Sequence, residues 1–294
     1  LKLLLIPVVA LAGVLGVSTY AAAAHVPASR TINVGGGGGG VAANDFFPNA
    51  ITILKGDTIH FVNPYEEPHT TTFVPQIPQP MAVPDLFIPN PAGPGVVFNP
   101  LAFDPTDTSG NPTDFEPHDY YNSGIMFKGA AADVLFDVAG KYTFLCLLHP
   151  GMDLSVEVIS TPATIASQAD LDKKGDAQRD GFIAAGKAIA AAVPQTKTTN
   201  ASGAATWDLL AGVTQGEADV MQFLPAARLN IATGDSVKWT SITNTPHTVT
   251  FGEPFNPIAT LGEFTTFSPA AALPSGGSTY SGGNANSGLM DRSG

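Results

Sequence analysis

The run Tyr142-Thr143-Phe144-Leu145-Cys146-Leu147-Leu148-His149-Pro150-Gly151-Met152 decides the fold. Side chains of a strand alternate between its faces, so Tyr142, Phe144 and Cys146 share one face. The aromatic members mark that face as the core side and place Cys146 at the strand end, partly buried. Pro150-Gly151 allows a sharp turn. Leu154, Val156 and Val158 then alternate along a returning strand. A thiol, an imidazole and a thioether thus lie within six residues of one another on a loop between two strands.

That donor set carries chemical information. The chain has 1 Cys, so no internal disulfide is available. The remaining roles are a buried thiol, an intermolecular link, a reactive group or a metal ligand. Thiolate with imidazole suits copper in both oxidation states, and a thioether favours Cu(I) over zinc. One known arrangement is a trigonal site of two His and one Cys with a long axial Met. It needs one more His, and His69, after Pro68 at the end of a strand pair, is the candidate.

Working outward, Ile51, Ile53, Ile59 and Phe61 alternate with polar residues across a Gly56-Asp57 turn, which predicts a strand pair. Thr31-Ile32-Asn33-Val34 is a short strand candidate. Gly35 to Gly40 have no side chains to pack and are expected to be flexible. Residues 75–118, rich in proline, are expected to form a long surface insertion. Strand signals resume at Val134-Leu135-Phe136. Over 163–193, Ile165, Leu171, Phe182 and Ile189 recur with helical spacing, and Pro194 with the polar stretch to Ala205 ends the helix.

From Trp207 the chain repeats itself. Leu229-Asn230-Ile231-Ala232-Thr233-Gly234-Asp235 echoes Ile51-Thr52-Ile53-Leu54-Lys55-Gly56-Asp57, with Val237 and Trp239 in the places of Ile59 and Phe61. Pro246-His247-Thr248 echoes Pro68-His69-Thr70, and Gly234 precedes His247 by the 13 residues that separate Gly56 from His69. Asn286-Ser287-Gly288-Leu289-Met290 echoes Asn122-Ser123-Gly124-Ile125-Met126. The expected fold class is therefore all-β: two tandem Greek-key β-sandwich domains joined by a helical connector. Domain 1 spans 30–160, the connector 161–206 and domain 2 207–294. The sequence stops 4 residues after Met290, before any counterpart of the Cys146–Met152 loop, so domain 2 is expected to be incomplete. Residues 1–24, with Lys2, an apolar run from Leu3 to Val17 and Ala21 to Ala24, read as an N-terminally incomplete signal peptide or membrane anchor, with cleavage favoured. The expected location is extracytoplasmic.

Cys146-Leu-Leu-His149-Pro-Gly-Met152 with an upstream Pro68-His69 resembles the cupredoxins, the plastocyanin and azurin superfamily. The short Cys-x-x-His-x-x-Met spacing looks most like the amicyanin group of bacterial blue-copper proteins. The resemblance covers roughly residues 30–160 and, more weakly, 207–294. It implies one type 1 copper in domain 1, held by His69 and His149 through imidazole nitrogen, Cys146 through sulfur and Met152 axially. It further implies a second copper in an intact domain 2, with His247 as a ligand. The sequence departs from that group at Thr70, where amicyanin has Asn after the upstream His.

The other histidines read plainly. His60 alternates with Ile59 and Phe61 and faces away from the core; His118, in Glu-Pro-His-Asp, is a solvated loop residue; His25 lies at the signal junction. Met126 and Met290 are read as core packing, and Glu66 and Glu67 as a solvated turn. A net charge of −12 argues against nucleic acid as a partner and fits basic, cytochrome-like redox proteins. A membrane contact is expected only through an uncleaved N-terminal segment. An electron carrier is favoured over an enzyme. Multicopper oxidases and nitrite reductases use histidines flanking the Cys and His-x-His pairs, whereas Leu145 and Leu147 flank Cys146 and no two of the 6 His are one residue apart. Copper storage or delivery would favour Met-rich sites, and 5 scattered Met give it little support.

Overall fold

The computed structural model describes residues 25–76, 81–89, 91, 96–161, 163–252, 274–288 and 290. The signal or anchor segment 1–24 lies outside these, as does part of the 75–118 stretch. In chain order the first half holds β1 (Ser29–Gly38), β2 (Val41–Phe47), β3 (Ala50–Leu54), β4 (Thr58–Val62), β5 (Thr72–Phe73), β6 (Phe87–Pro89), β7 (Val96–Phe98), α1 (Pro100–Phe103), β8 (Thr113–Asp114), β9 (Tyr121–Asn122), β10 (Ala131–Leu135), β11 (Gly140–Leu145) and β12 (Asp153–Ile159). Then come α2 (Gln168–Ala192), β13 (Thr196–Thr199), β14 (Ala205–Gln215), β15 (Ala218–Leu224), β16 (Ser236–Ile242), β17 (Thr250–Phe251) and β18 (Ala285–Asn286). The described residues are mostly β, with one long helix. No helix among the described residues is long and apolar enough to cross a membrane.

Two main sheets build the first unit, beside the small β6–β7 hairpin. One runs β2-β1-β4-β10-β8, the other β3-β12-β11-β5-β9. Alternation along each strand sends Ile32, Ile59, Phe61 and Val134 from one sheet, and Ile53, Phe144, Leu154 and Val156 from the other, into a single core. Phe144 is its centre. Its ring lies 5.4 Å from Phe115, 5.5 Å from Phe73 and 5.9 Å from Phe61. Residues Tyr142 to Cys146 alternate as the sequence predicts, with Tyr142, Phe144 and Cys146 buried.

Two expectations are corrected. The glycines from Gly35 are not a flexible stretch: Gly36, Gly37 and Gly38 pair with Ala43, Ala42 and Val41 in the β1–β2 ladder. Backbone hydrogen bonding needs no side chain, and the glycines leave room for neighbours that would clash with a Cβ. The 75–118 stretch is also more than surface loop. It contains the β6–β7 hairpin, α1 and β8, and Phe115 within it is a core residue.

Helix α2 starts with a capping box, in which the Ser167 side chain and the Asp170 side chain each take the other's backbone N–H. It is more than a connector, since it packs on β1, β2 and β15. Gly175 and Gly186 make that contact close: a Cβ on the first would meet the Phe47 backbone at 2.8 Å, and on the second Val41 at 2.5 Å. Beyond the helix, the stretch expected as linker forms edge strand β13, paired with β14.

The repeat is visible in the backbone. The β1–β2 ladder breaks register between Val34 and Gly36, and the β14–β15 ladder breaks it between Ala211 and Val213. Strand β4 runs parallel to β1, as β16 does to β14. Asp57 accepts hydrogen bonds from the N–H groups of Ala28 and Leu54; Asp235 accepts them from Ala205 and Ala232. The echo of β3 differs: Leu229 to Ile231 form no strand. In the first unit β3 is held by β12, and no described strand plays that part here. The two units join through β2 and β15, with Val41 opposite Val220, Ala42 opposite Asp219 and Ala43 opposite Ala218. One sheet of 9 strands therefore runs through both.

Candidate metal centre

Three buried side chains meet at one end of the first unit. His69, Cys146 and His149 each offer one ligand atom, and these lie within 4.8 Å of one another. Cys146 Sγ is 3.5 Å from His149 Nδ1 and 3.9 Å from His69 Nδ1, and the two imidazole centroids are 4.6 Å apart.

Each member is fixed by backbone. His69 lies between β4 and β5, where its N–H and carbonyl exchange hydrogen bonds with Met126. The Asn63 amide donates to the carbonyls of Met126 and Glu67, tying that loop down. Gly35 forms the wall behind the ring, at φ +81° in the β1 bulge; a Cβ there would stand 2.0 Å from His69 Nε2. Nδ1 is left facing the sulfur, while Nε2 is buried without a hydrogen-bond partner. Across the loop, Cys146 N donates to Met152 O and Met152 N to His149 O, which closes the tight turn expected at Pro150-Gly151. Met152 is buried in the same core cluster as Cys146.

Thr70 takes up the place where the sequence departs from amicyanin. Its backbone N–H donates to Cys146 Sγ at 3.3 Å, and its Oγ1 accepts from Leu147 N at 2.9 Å and from Thr72 Oγ1 at 3.0 Å. A hydroxyl therefore links the upstream His segment to the Cys loop. Glu67 was not legible as part of the site. It is no solvated turn: its Oε1 lies 3.5 Å from His149 Nε2 and its side chain is 16% exposed. Glu66 beside it is exposed and pairs with Lys128. Gly35 was hidden too, because an unbroken glycine run gives no sign of which member faces a ring.

The electrostatics prepare a thiolate. Burial pushes the Cys146 thiol up, but hydrogen bonds and charge from His149 and His69 outweigh it and hold the group well below the usual thiol range. Burial disfavours charge on His149, yet its contacts with Cys146 and Glu67 push it up to about 10. Burial dominates at His69 and lowers it, keeping that ring neutral. These directions favour a thiolate on Cys146, with positive charge on His149 rather than on His69. A soft cation would displace the proton on His149 and gain three donors already gathered. The donor chemistry, two imidazole nitrogens and one thiolate in a dry pocket, fits copper.

The remaining candidates fall as follows. His60 lies half-buried, bonded to Asp133 at 2.8 Å, and His118 is exposed. Met126 is core, as read; Met290 is half-buried. His247 exchanges backbone hydrogen bonds with Met290 just as His69 does with Met126, and its Nε2 is likewise buried and unpaired against a glycine, Gly212. Among the described residues no second His/Cys/carboxylate group gathers around it.

Residues 33–161 match the profile of copper binding proteins, the plastocyanin/azurin family. This segment is a cupredoxin-like domain carrying a buried His-Cys-His triad. Similar solved structures include amicyanin from Paracoccus versutus, 18% identical over 45% of this chain and 81% of that one, with a TM-score of 0.28. A reduced tryptophan-to-tyrosine mutant of amicyanin is 17% identical over 45% of this chain and 82% of that one, also with a TM-score of 0.28. No curated protein sequence matches the chain.

Proposed function

We propose that this protein is an exported electron carrier. His69 Nδ1, Cys146 Sγ and His149 Nδ1, joined by Met152, would hold one copper ion as Cu(II) or Cu(I). The observation that carries this reading is the preformed triad, with all three donors buried and turned toward one point. The copper supplies one-electron redox chemistry. The chain's own task is to keep the ligands where they are in both states. The Met126 bridge and Gly35 do this for His69, and the Thr70 hydrogen bonds do it for the Cys loop. The leucines flanking Cys146 offer no ligand for a neighbouring metal, which favours a carrier over an oxidase.

In the same reading the second unit is a further cupredoxin-type domain, and His247, seated against Gly212, is the first ligand of a second copper site. The shared bulge, the shared aspartate and the shared His–Met bridge support that. The protein would work outside the cytoplasm, exchanging electrons with basic redox proteins drawn by its −12 charge. The test is a redox cycle. The copper-loaded protein should show an intense visible charge-transfer band that bleaches with one electron equivalent and returns on oxidation. A band that does not recover, or steady oxygen or nitrite consumption, would sink the carrier reading.

A further inference from the structure

Glu67 stands on the far side of His149 from the sulfur. The imidazole lies between a sulfur and a carboxylate, with Nδ1 3.5 Å from Cys146 Sγ and Nε2 3.5 Å from Glu67 Oε1. The Glu67 backbone is itself fixed: its carbonyl accepts from the Asn63 amide at 2.7 Å, and Asn63 Oδ1 accepts from Tyr65 N. His149 is 4% exposed, so neither ring nitrogen turns readily to solvent.

From this we infer that Glu67 is the positioning residue for His149: it accepts the Nε2 proton, thereby presenting Nδ1 to the metal, and its fixed negative charge favours the oxidised over the reduced ion. The inference rests on the copper reading above. Two effects follow from general chemistry. A carboxylate behind a ligating imidazole fixes the tautomer and ring orientation, and losing such a partner weakens metal binding by about 10- to 100-fold. A unit charge one imidazole away in a sheltered site also changes the balance between two metal charge states. With an effective dielectric of about 20 and about 7 Å between the charges that change is about 50-fold, which for a one-electron couple is about 100 mV.

The Glu66→Gln variant supplies the control, because it removes the same formal charge one residue away from an exposed side chain. The experiment loads wild type, Glu67→Gln, Glu67→Leu and Glu66→Gln with copper and measures reduction potential and Cu(II) affinity at fixed pH. Near-ultraviolet circular dichroism reports that each is folded. Glu67→Gln, which keeps an acceptor oxygen, should raise the potential by about 100 mV, and Glu67→Leu should weaken Cu(II) binding by about 10-fold or more. Glu66→Gln should do neither. A potential in Glu67→Gln equal to that in Glu66→Gln overturns the inference while leaving the copper reading intact. A wild type that develops no blue band overturns both.

Discussion

Replacing Gly35 by Ala should damage the site directly. The backbone at Gly35 has φ +81°, and a Cβ would stand 2.0 Å from His69 Nε2 and 2.5 Å from Cδ2. The ring cannot simply swing away, because His69 is fully buried and its backbone is bridged to Met126. An L-residue in the left-handed region costs about 1–2 kcal/mol, and forcing extra volume into a packed site costs about 1–3 kcal/mol. The sum is about 2–5 kcal/mol of stability, with His69 Nδ1 displaced from the sulfur. Gly129→Ala is the matching control, since it has φ +83° and nothing within 4 Å of the added Cβ. It should lose only the conformational part, about 1–2 kcal/mol. Urea unfolding of the metal-free proteins gives the stabilities, and copper titration gives the affinity. Equal losses in the two variants, with Gly35→Ala binding copper as wild type does, would refute the claim that the missing Cβ seats the ring.

Thr70→Val keeps the shape but removes the acceptor for Leu147 N, leaving a buried N–H unpaired at a cost of about 1–3 kcal/mol; urea midpoints and the visible band of the copper protein would register it, and Thr70→Ser should be near wild type. Asp45, 3% exposed, is pushed up to about 7, chiefly by burial. Its folded form holds a proton that the unfolded chain loses above about pH 4, so its contribution is complete below that pH and is lost as pH rises to 7. The loss is on the order of 4 kcal/mol, and Asp45→Asn should remove that part of the fall, leaving what the raised Glu217 and Asp219 contribute. Phe61→Ala, in the closed core of the first unit, should cost about 3–5 kcal/mol. Trp239→Ala, at the equivalent but half-buried position against Phe223 and Phe251, should cost less, as denaturant unfolding would show.

The strands of the copper loop were legible because burial there alternates with period two, and a one-residue shift would expose Phe144. The His69–Cys146–His149 cluster was legible because Cys and His on one short loop, with an upstream Pro-His, have few alternative uses. What escaped reading depended on partners far along the chain. Gly36 to Gly38 form a strand because Val41 to Ala43 lie opposite, and Phe115 enters the core because Phe73 and Phe144 leave it a place. Helical spacing located α2, but only the Phe47 and Val41 contacts of Gly175 and Gly186 show that it clasps the sheet. Glu67 looked like its neighbour Glu66 in sequence. Their environments differ because the chain turns one of them toward His149.

The central claim is that Cys146, with His69 and His149, forms a copper site of thiolate character. The most direct measurement is the visible spectrum on adding Cu(II), for wild type and Cys146→Ala side by side. Wild type should show an intense charge-transfer band saturating at one copper per chain, and Cys146→Ala no such band and much weaker binding. No band in the folded wild type, or an unchanged copper affinity in Cys146→Ala, would contradict it.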